Sequence, residues 1–483
     1  MLGLVFPNQS LANLLRQEGV TFMRFGGDMA STLGSWKHYR GPREHRQPRN
    51  NYGIAWYERY GGSSSWMYFE FIAMCEELGI IPVIGLAFDA DTASVNDNAD
   101  IIEYLYGSSH TPWGAMRIKD GHPTPYGSVW LQFGNEVGMS EQYADFVLNA
   151  TAAMEQRSVG TPMERKLRFV SNVVLYPEDF QEPKLSAWKR LIKGAMPLGS
   201  RMLNDHHEAD GQLLNLAIGG GQTVSNVVKN SLVLANFSQL LHEENSSMKL
   251  IVGELDAFSN PGACDHCQLR ALQTAAYLNL YQSHSDLIEA ICYVNAFERL
   301  QQEEQGSGWY QGQVLILPNM TIREPPYYVL QMASEATQKN VVRSSWKGTN
   351  NTMATTADGV EQQLLQIFAT ASDDGKVVAV RVVNQGCEAR TLRLVLRGHL
   401  HGTARAAAVT RVNGSMLRSR VPPPPGGTCV GTEPAFGLMM REANTPARPE
   451  LVVPEPVHAS IASDGSVGVA LPHWSFLTLM IQL

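Results

Sequence analysis

The chain has little cysteine, no long hydrophobic run and no basic cluster, and each lack closes off a class of protein. Six cysteines in 483 residues (Cys75, Cys264, Cys267, Cys292, Cys387 and Cys429) exclude a disulfide scaffold and permit one or two bridges. No segment approaches the roughly 18 consecutive apolar residues of a spanning helix, so no membrane span is expected. The formal charge of -8 is dispersed, without the basic run that would point to nucleic acid or an anionic membrane. Met1 to Pro7 lacks a charged n-region and a full apolar core, so no signal peptide is visible.

What remains is an ordinary globular composition, 44% hydrophobic and 17% charged, which argues against disorder. The length suits one large domain and one smaller one. Cys264-Asp265-His266-Cys267 has a metal-like spacing. A second ligand pair is missing, so loop cysteines, bridged or free, are expected rather than zinc. Seven Asn-x-Ser/Thr sequons begin at Asn8, Asn149, Asn236, Asn245, Asn319, Asn350 and Asn413. Chance alone would give about three or four, so the excess leans toward the secretory pathway or the extracellular space.

From residue 11 to about residue 337, helical patterns alternate with short apolar runs, as in an α/β fold of (β/α)8 barrel type. Strands are expected at 21–25, 80–88, 129–136, 167–174, 202–205, 251–254 and 290–295. Only seven are clear, and the first barrel strand is either the poor candidate Leu2 to Phe6 or missing. Residues 338–483 read as strands joined by Gly, Asp and Asn turns, an accessory antiparallel β-sandwich.

Two strands end on carboxylates. Glu136 closes Val129-Trp130-Leu131-Gln132-Phe133-Gly134-Asn135-Glu136, and Glu254 closes Lys249-Leu250-Ile251-Val252-Gly253-Glu254. One βα unit takes about 30 to 40 residues, so their spacing of 118 positions assigns them to strands 4 and 7 of a barrel. Catalytic groups gather at the C-terminal strand ends of that fold. Two facing carboxylates about 5 Å apart are what retaining glycoside hydrolysis needs. Partial burial beside a second carboxylate would help Glu136 stay protonated as the general acid.

Around these, Arg24 in Met23-Arg24-Phe25-Gly26-Gly27-Asp28 could hold Glu254 ionised or form a purely structural pair with it. Asp28 and Asn135 could bind sugar hydroxyls, although Asn135 could equally cap the next turn. Asp205-His206-His207-Glu208 contains the elements of a metal site. It lacks a matching distant cluster, so sugar binding or support of the site is expected instead. Trp36, Trp309 and Tyr310 are candidates for an aromatic wall or for simple packing.

Together these stretches resemble family-51 glycoside hydrolases, the α-L-arabinofuranosidases, and their divergent relatives. Arg24-Phe25-Gly26-Gly27 is similar to the family's Arg-Tyr/Phe-Pro-Gly-Gly motif, and Trp36 through Gly41-Pro42-Arg43 to the loop that follows it. Trp113-Gly114-Ala115-Met116-Arg117, Asp120-Gly121-His122-Pro123 and Pro125-Tyr126-Gly127 resemble the segment leading into Gly-Asn-Glu. Glu442-Ala443-Asn444-Thr445-Pro446, Leu471-Pro472 and Ser475 resemble the terminal sandwich strands. The resemblance implies an exo-acting retaining hydrolase without a cofactor, with Glu136 as acid/base and Glu254 as nucleophile. Its substrate would be an arabinose-containing oligo- or polysaccharide.

The chain departs from the family where Phe25 replaces a proline, Asp28 an asparagine, and Glu208 an aromatic residue. No counterpart of the family's strand-1 carboxylate precedes Leu11. Two other readings stay open: a heparanase-like β-glucuronidase, and an inactive barrel kept for carbohydrate binding or complex assembly. A homo-oligomer or larger assembly is compatible with each.

Overall fold

Seven short parallel strands form one sheet in the computed structural model, in the order in which the chain supplies them. The residues described are 9–26, 35–42, 46, 67–88, 92–207, 223–255, 267–299, 312–348, 353–355, 361–363, 365–386, 388–400, 403–406, 409–418 and 443–483. Helix α1 (Gln9–Glu18) leads into β1 (Phe22–Phe25), and α2 (Tyr68–Leu78) into β2 (Ile81–Leu86). Helices α3 (Thr92–Tyr106) and α4 (Pro112–Lys119) precede β3 (Trp130–Val137), and α5 (Glu141–Ser158) precedes β4 (Arg168–Val173). Next come α6 (Lys184–Ala195), β5 (Met202–His207), α7 (Thr223–Glu243), β6 (Lys249–Leu255), α8 (Gln268–Ser283) and β7 (Ile288–Tyr293).

This is the expected barrel-type sheet, with seven strands among the described residues. Strands β1 and β7 are its two ends, and among the described residues no strand closes the sheet between them. The candidate first strand, Leu2 to Phe6, lies outside the described residues.

The chain divides into two compact units. One comprises Met1–His207, Leu232–Glu254 and Asp286–Cys292, and the other comprises Glu208–Ser231, Leu255–Ser285 and Tyr293–Leu483. In the first, the sheet interior is built in layers, because side chains on a strand alternate between faces. Val83, Trp130, Val170, Leu203 and Ile251 form one buried cluster, with Phe22 and Ala290 packed against it. That is one residue from each of the seven strands. Full burial of each aliphatic member contributes about 1.5–3 kcal/mol. Two residues further along every strand the same face carries Arg24, Gly85, Gln132, Asn172, Asp205, Gly253 and Cys292. An apolar floor therefore lies under a layer rich in polar groups.

The segment that aims β3 is held by local polar contacts. Arg117 of α4 is 1% exposed and donates to the carbonyls of Tyr104, Leu105, Gly107 and His122, collecting groups at and beyond the α3 C-terminus. Glu76 of α2 accepts the Gly127 amide at 2.6 Å and lies 3.4 Å from the His122 ring. That ring stacks on Tyr126, with centroids 3.7 Å apart.

Burial opposes ionisation of Glu76, but His122 and the Gly127 amide outweigh it and hold its pKa below the ordinary carboxylate range. A depressed carboxylate pKa stabilises the fold above the unfolded-state value of about 4.3, and that stabilisation disappears as pH falls through the folded value. Glu76→Gln should therefore flatten stability against pH below about pH 4.5. Urea midpoints measured from pH 3 to 7 check this, and an unchanged slope would contradict it.

The second unit contains an antiparallel sandwich. A six-stranded sheet runs in the order Asn340–Val342, Leu365–Ala371, Val377–Asn384, Ser475–Gln482, Arg411–Arg418 and Glu455–Pro456. A three-stranded sheet of Arg390–Leu394, Val467–Leu471 and Ala459–Ile461 accompanies it. Alternate residues Val378, Val380 and Val382, Leu477, Leu479 and Ile481, and Val467, Val469 and Leu471 share one core. This is the strand period of two expected of a sandwich. The opposite face of the larger sheet packs on α8 and on the helix Pro325–Glu335. The segment Pro422 to Gly427, expected to be a loop, lies outside the described residues.

Candidate functional site

The polar layer converges on one guanidinium. Arg24 donates from Nε to Gln132 Oε1 at 2.7 Å, from one terminal nitrogen to Glu254 Oε1 at 2.7 Å, and from the other to Asn135 Oδ1 at 2.6 Å. Its Nε also lies 3.1 Å from Asp205 Oδ2. The Arg24 side chain is 6% exposed, Asp205 0% and Glu254 16%. Burial opposes the charge on Arg24, yet the Asp205 and Glu254 carboxylates outweigh it and hold the guanidinium pKa above its ordinary value. A charge-assisted fork of this kind fixes direction as well as charge. It keeps the Glu254 carboxylate at the end of β6 in one orientation.

Asp205 is anchored from three sides. Besides Arg24, the Asn172 amide donates to Oδ2 at 2.8 Å and the Gly253 backbone donates to Oδ1 at 2.6 Å. A Cβ at position 253 would collide with this carboxylate, so glycine is what lets β6 approach. Cys292, from β7, completes the layer: burial raises its pKa, Asp205 adds to the rise, Arg24 opposes it, and the thiol stays neutral.

Glu136 reaches the rim through an irregularity in β3. Phe133 pairs with Ser171 and Val137 with Val173, so four steps along β3 match two along β4. The bulged stretch takes Gly134 at φ 75° and Glu136 at φ 49°. The Glu136 amide donates to Asn172 Oδ1. Tyr143 of α5 donates to the Phe133 carbonyl at 2.6 Å and accepts the Asn172 amide at 2.7 Å. Burial pushes the Tyr143 phenol pKa up against the effect of the Asn172 amide, which preserves its O–H as a donor.

At Gly134 a Cβ would sit 2.7 Å from Val137 Cγ2 and 3.2 Å from Phe88 Cβ. Gly134→Ala should therefore cost about 1–3 kcal/mol of stability. The Asn135-Glu136 dipeptide should shift with it. Urea denaturation reads the first effect, and a cost below about 0.5 kcal/mol would show that the bulge tolerates a side chain.

The structure thus brings Arg24, Asn135, Glu254 and the backbone of Glu136 into one connected network. Glu136 is exposed rather than partly buried, because the irregularity between Phe133 and Val137 loops it out of the β3–β4 ladder. His207 is the last residue of β5, and its backbone lies beside Glu254 in the register. Trp36 does not join the network. It is 1% exposed, donates its indole N–H to the Asp97 carbonyl at 2.8 Å, and packs against Phe69, Tyr104 and Trp113. That is the packing role, not a sugar wall.

Asp28, Glu208, Trp309 and Tyr310 lie outside the described residues. Cys267 is disulfide-bonded. Among the described residues no group of three or more His, Cys, Asp or Glu could hold a metal ion. Gln132 and Asn172 were not anticipated from the sequence. Their signal was polar side chains two positions beyond an apolar residue inside a strand.

Residues 14–183 match the family model described as the alpha-L-arabinofuranosidase 1 domain, and residues 265–420 the model of the alpha-L-arabinofuranosidase C-terminal domain. The extracellular exo-alpha-L-arabinofuranosidase of Streptomyces chartreusis is 29% identical over 164 residues, which cover 31% of this chain and 19% of that protein. Alpha-L-arabinofuranosidase 1 of Arabidopsis thaliana is 20% identical over 383 residues, covering 77% of this chain and 48% of that protein. The chain therefore spans about half or less of the length of these curated relatives. The crystal structure of alpha-L-arabinofuranosidase from Thermotoga maritima, in its arabinose complex, superposes with a TM-score of 0.73 at 17% identity. The match covers 98% of this chain and 90% of that one, and at that identity the likeness shows the fold.

Proposed function

Because this chain belongs to glycoside hydrolase family 51 or is a divergent relative of it, we propose that it is a retaining, exo-acting α-L-arabinofuranosidase. The observation that carries this reading is the Arg24 guanidinium, which binds Glu254 directly and Asn135, the neighbour of Glu136, at the same time. The Glu254 carboxylate and the residue beside Glu136, from different strand ends, are thereby tied to one support.

In the first step a Glu254 oxygen bonds to the anomeric carbon as the glycosidic C–O bond breaks. The Glu136 carboxyl gives its proton to the leaving oxygen. In the second, water attacks the same carbon, Glu136 takes its proton, and the Glu254 carboxylate departs. Arg24 and Asp205 neither bond to substrate nor transfer protons in this scheme. Arg24 holds the nucleophile aimed through its hydrogen bond to Glu254, and Asp205 anchors Arg24.

The substrate class is a terminal arabinofuranosyl group on an oligo- or polysaccharide, in keeping with the names of the relatives. A secreted setting fits the Streptomyces relative, whose name calls it extracellular. No helix among the described residues is long and apolar enough to cross a membrane.

The test is release of 4-nitrophenol from the α-L-arabinofuranoside beside a panel of other aryl glycosides, with NMR of the first sugar formed. Release of arabinose with its anomeric configuration kept is the expected result. Inversion would sink the double displacement, and release from a glucuronide alone would favour the β-glucuronidase. Silence from folded protein would favour a carbohydrate-binding role.

A further inference from the structure

We infer that Asn172 is a positioning residue for the acid/base step, its side-chain amide fixing the Glu136 backbone and joining it to the Asp205–Arg24–Glu254 group. The inference rests on the reading of Glu136 and Glu254 proposed above. Asn172 is fully buried in the polar layer of β4. Its Oδ1 accepts the Glu136 amide, its Nδ2 donates to Asp205 at 2.8 Å, and its own amide donates to Tyr143 Oη at 2.7 Å. The neighbours dictate the orientation of the side-chain amide: only its oxygen can accept a backbone N–H, and only its NH2 can donate to a carboxylate.

The bulge explains why such a residue is needed. Between Phe133 and Val137 the β3–β4 ladder is interrupted, so the looped-out backbone needs a partner other than the neighbouring strand. The Asn172 side chain takes that place for Glu136. The Tyr143 hydroxyl, bonded to Asn172, takes the Phe133 carbonyl on the other side of the bulge. Glu136 stands at φ 49°, a conformation that residues with a side chain adopt only where surrounding contacts enforce it. Losing the Asn172 amide would let this peptide relax and turn the Glu136 carboxyl away from the leaving oxygen.

The test compares kcat/KM for aryl α-L-arabinofuranosides whose leaving groups run from 2,4-dinitrophenol to 4-methoxyphenol. Departure of dinitrophenolate needs no proton donor, whereas departure of methoxyphenolate does. Asn172→Ala should lose about 10²-fold on the methoxyphenyl substrate and less than about fivefold on the dinitrophenyl one.

Asn172→Asp supplies the second readout and a near-isosteric variant should the alanine fail to fold. Protonated, its carboxyl reproduces both hydrogen bonds, with O–H toward Asp205 and C=O toward the Glu136 amide. Ionised, it confronts Asp205. Asp205 from β5, Glu136 from β3 and Tyr143 from α5 face this position, with Arg24 and Glu254 beyond Asp205. Activity on the methoxyphenyl substrate should therefore recover toward acid pH and fall earlier than wild type as pH rises.

Equal losses on both substrates, or an aspartate variant with no acid recovery, would overturn the inference and leave Asn172 a fold residue. That outcome is distinct from failure of the proposed function. A wild type silent on every glycoside would remove that reading, and this inference with it.

Discussion

Glu254→Ala should reduce turnover of an activated aryl α-L-arabinofuranoside by about 10⁴-fold or more, because it removes the covalent route itself. The fold should survive the change. Glu254 is 16% exposed at the strand end, and Arg24 keeps Asp205, Gln132 and Asn135. Glu136→Ala should behave differently. Without the acid, a poor leaving group stalls by about 10²–10⁴-fold, while a dinitrophenyl glycoside still forms the glycosyl-enzyme. Turnover is then limited by water attack without a base.

Azide needs no base, so it should restore that turnover in Glu136→Ala and yield an arabinosyl azide of the substrate's own anomeric configuration. In Glu254→Ala any azide product would carry the opposite configuration, since azide then attacks the substrate directly. The pair of product configurations assigns the two roles independently of rate. If azide accelerates neither variant, or both give the same anomer, the assignment of Glu136 and Glu254 is wrong.

The strands and the two glutamates were legible because each strand is a short apolar run with a clear stop. All seven expected strands are present, with ends moved by a few residues. The helices were less so. Helix α6 follows a proline that supplies no side-chain cap, so the usual start signal is missing even though Trp188, Leu191 and Ile192 form a buried stripe.

The support beneath the site was the least legible part. Asp205 read as one element of a metal-like cluster with His206, His207 and Glu208, because those four residues are contiguous. In the structure Asp205 faces Arg24, Asn172 and Gly253. Proximity in sequence pointed one way, and the period of two pointed the other. Applied from Leu203 to Asp205, and from Val170 to Asn172, that period finds the polar layer. Trp36 could not be assigned this way, since an aromatic residue before a loop suits a sugar platform and a packed core equally.

The largest stability effect should come from Asp205→Ala. The variant removes one carboxylate from a buried guanidinium and leaves the Asn172 NH2 and the Gly253 amide facing the void. Breaking a buried pair from one side costs about 3–5 kcal/mol, mostly from the charge left behind. Arg24→Met should cost a similar amount for the mirror reason. The double variant should cost clearly less than the two together, since neither charge is then stranded.

Asp205→Asn separates charge from shape. It keeps the volume but weakens the bond to Arg24, and it can accept only one of the two flanking amides without turning an NH2 toward a donor. It should therefore fold at reduced stability and lose kcat more than KM, because Arg24 and Asn172 lose the anchor that sets Glu254 and Glu136. Urea denaturation of the four stability variants, with wild type, closes the cycle. Additive costs for Arg24→Met and Asp205→Ala would mean that the two groups act separately. In that case the polar layer would not be the common support of the two glutamates.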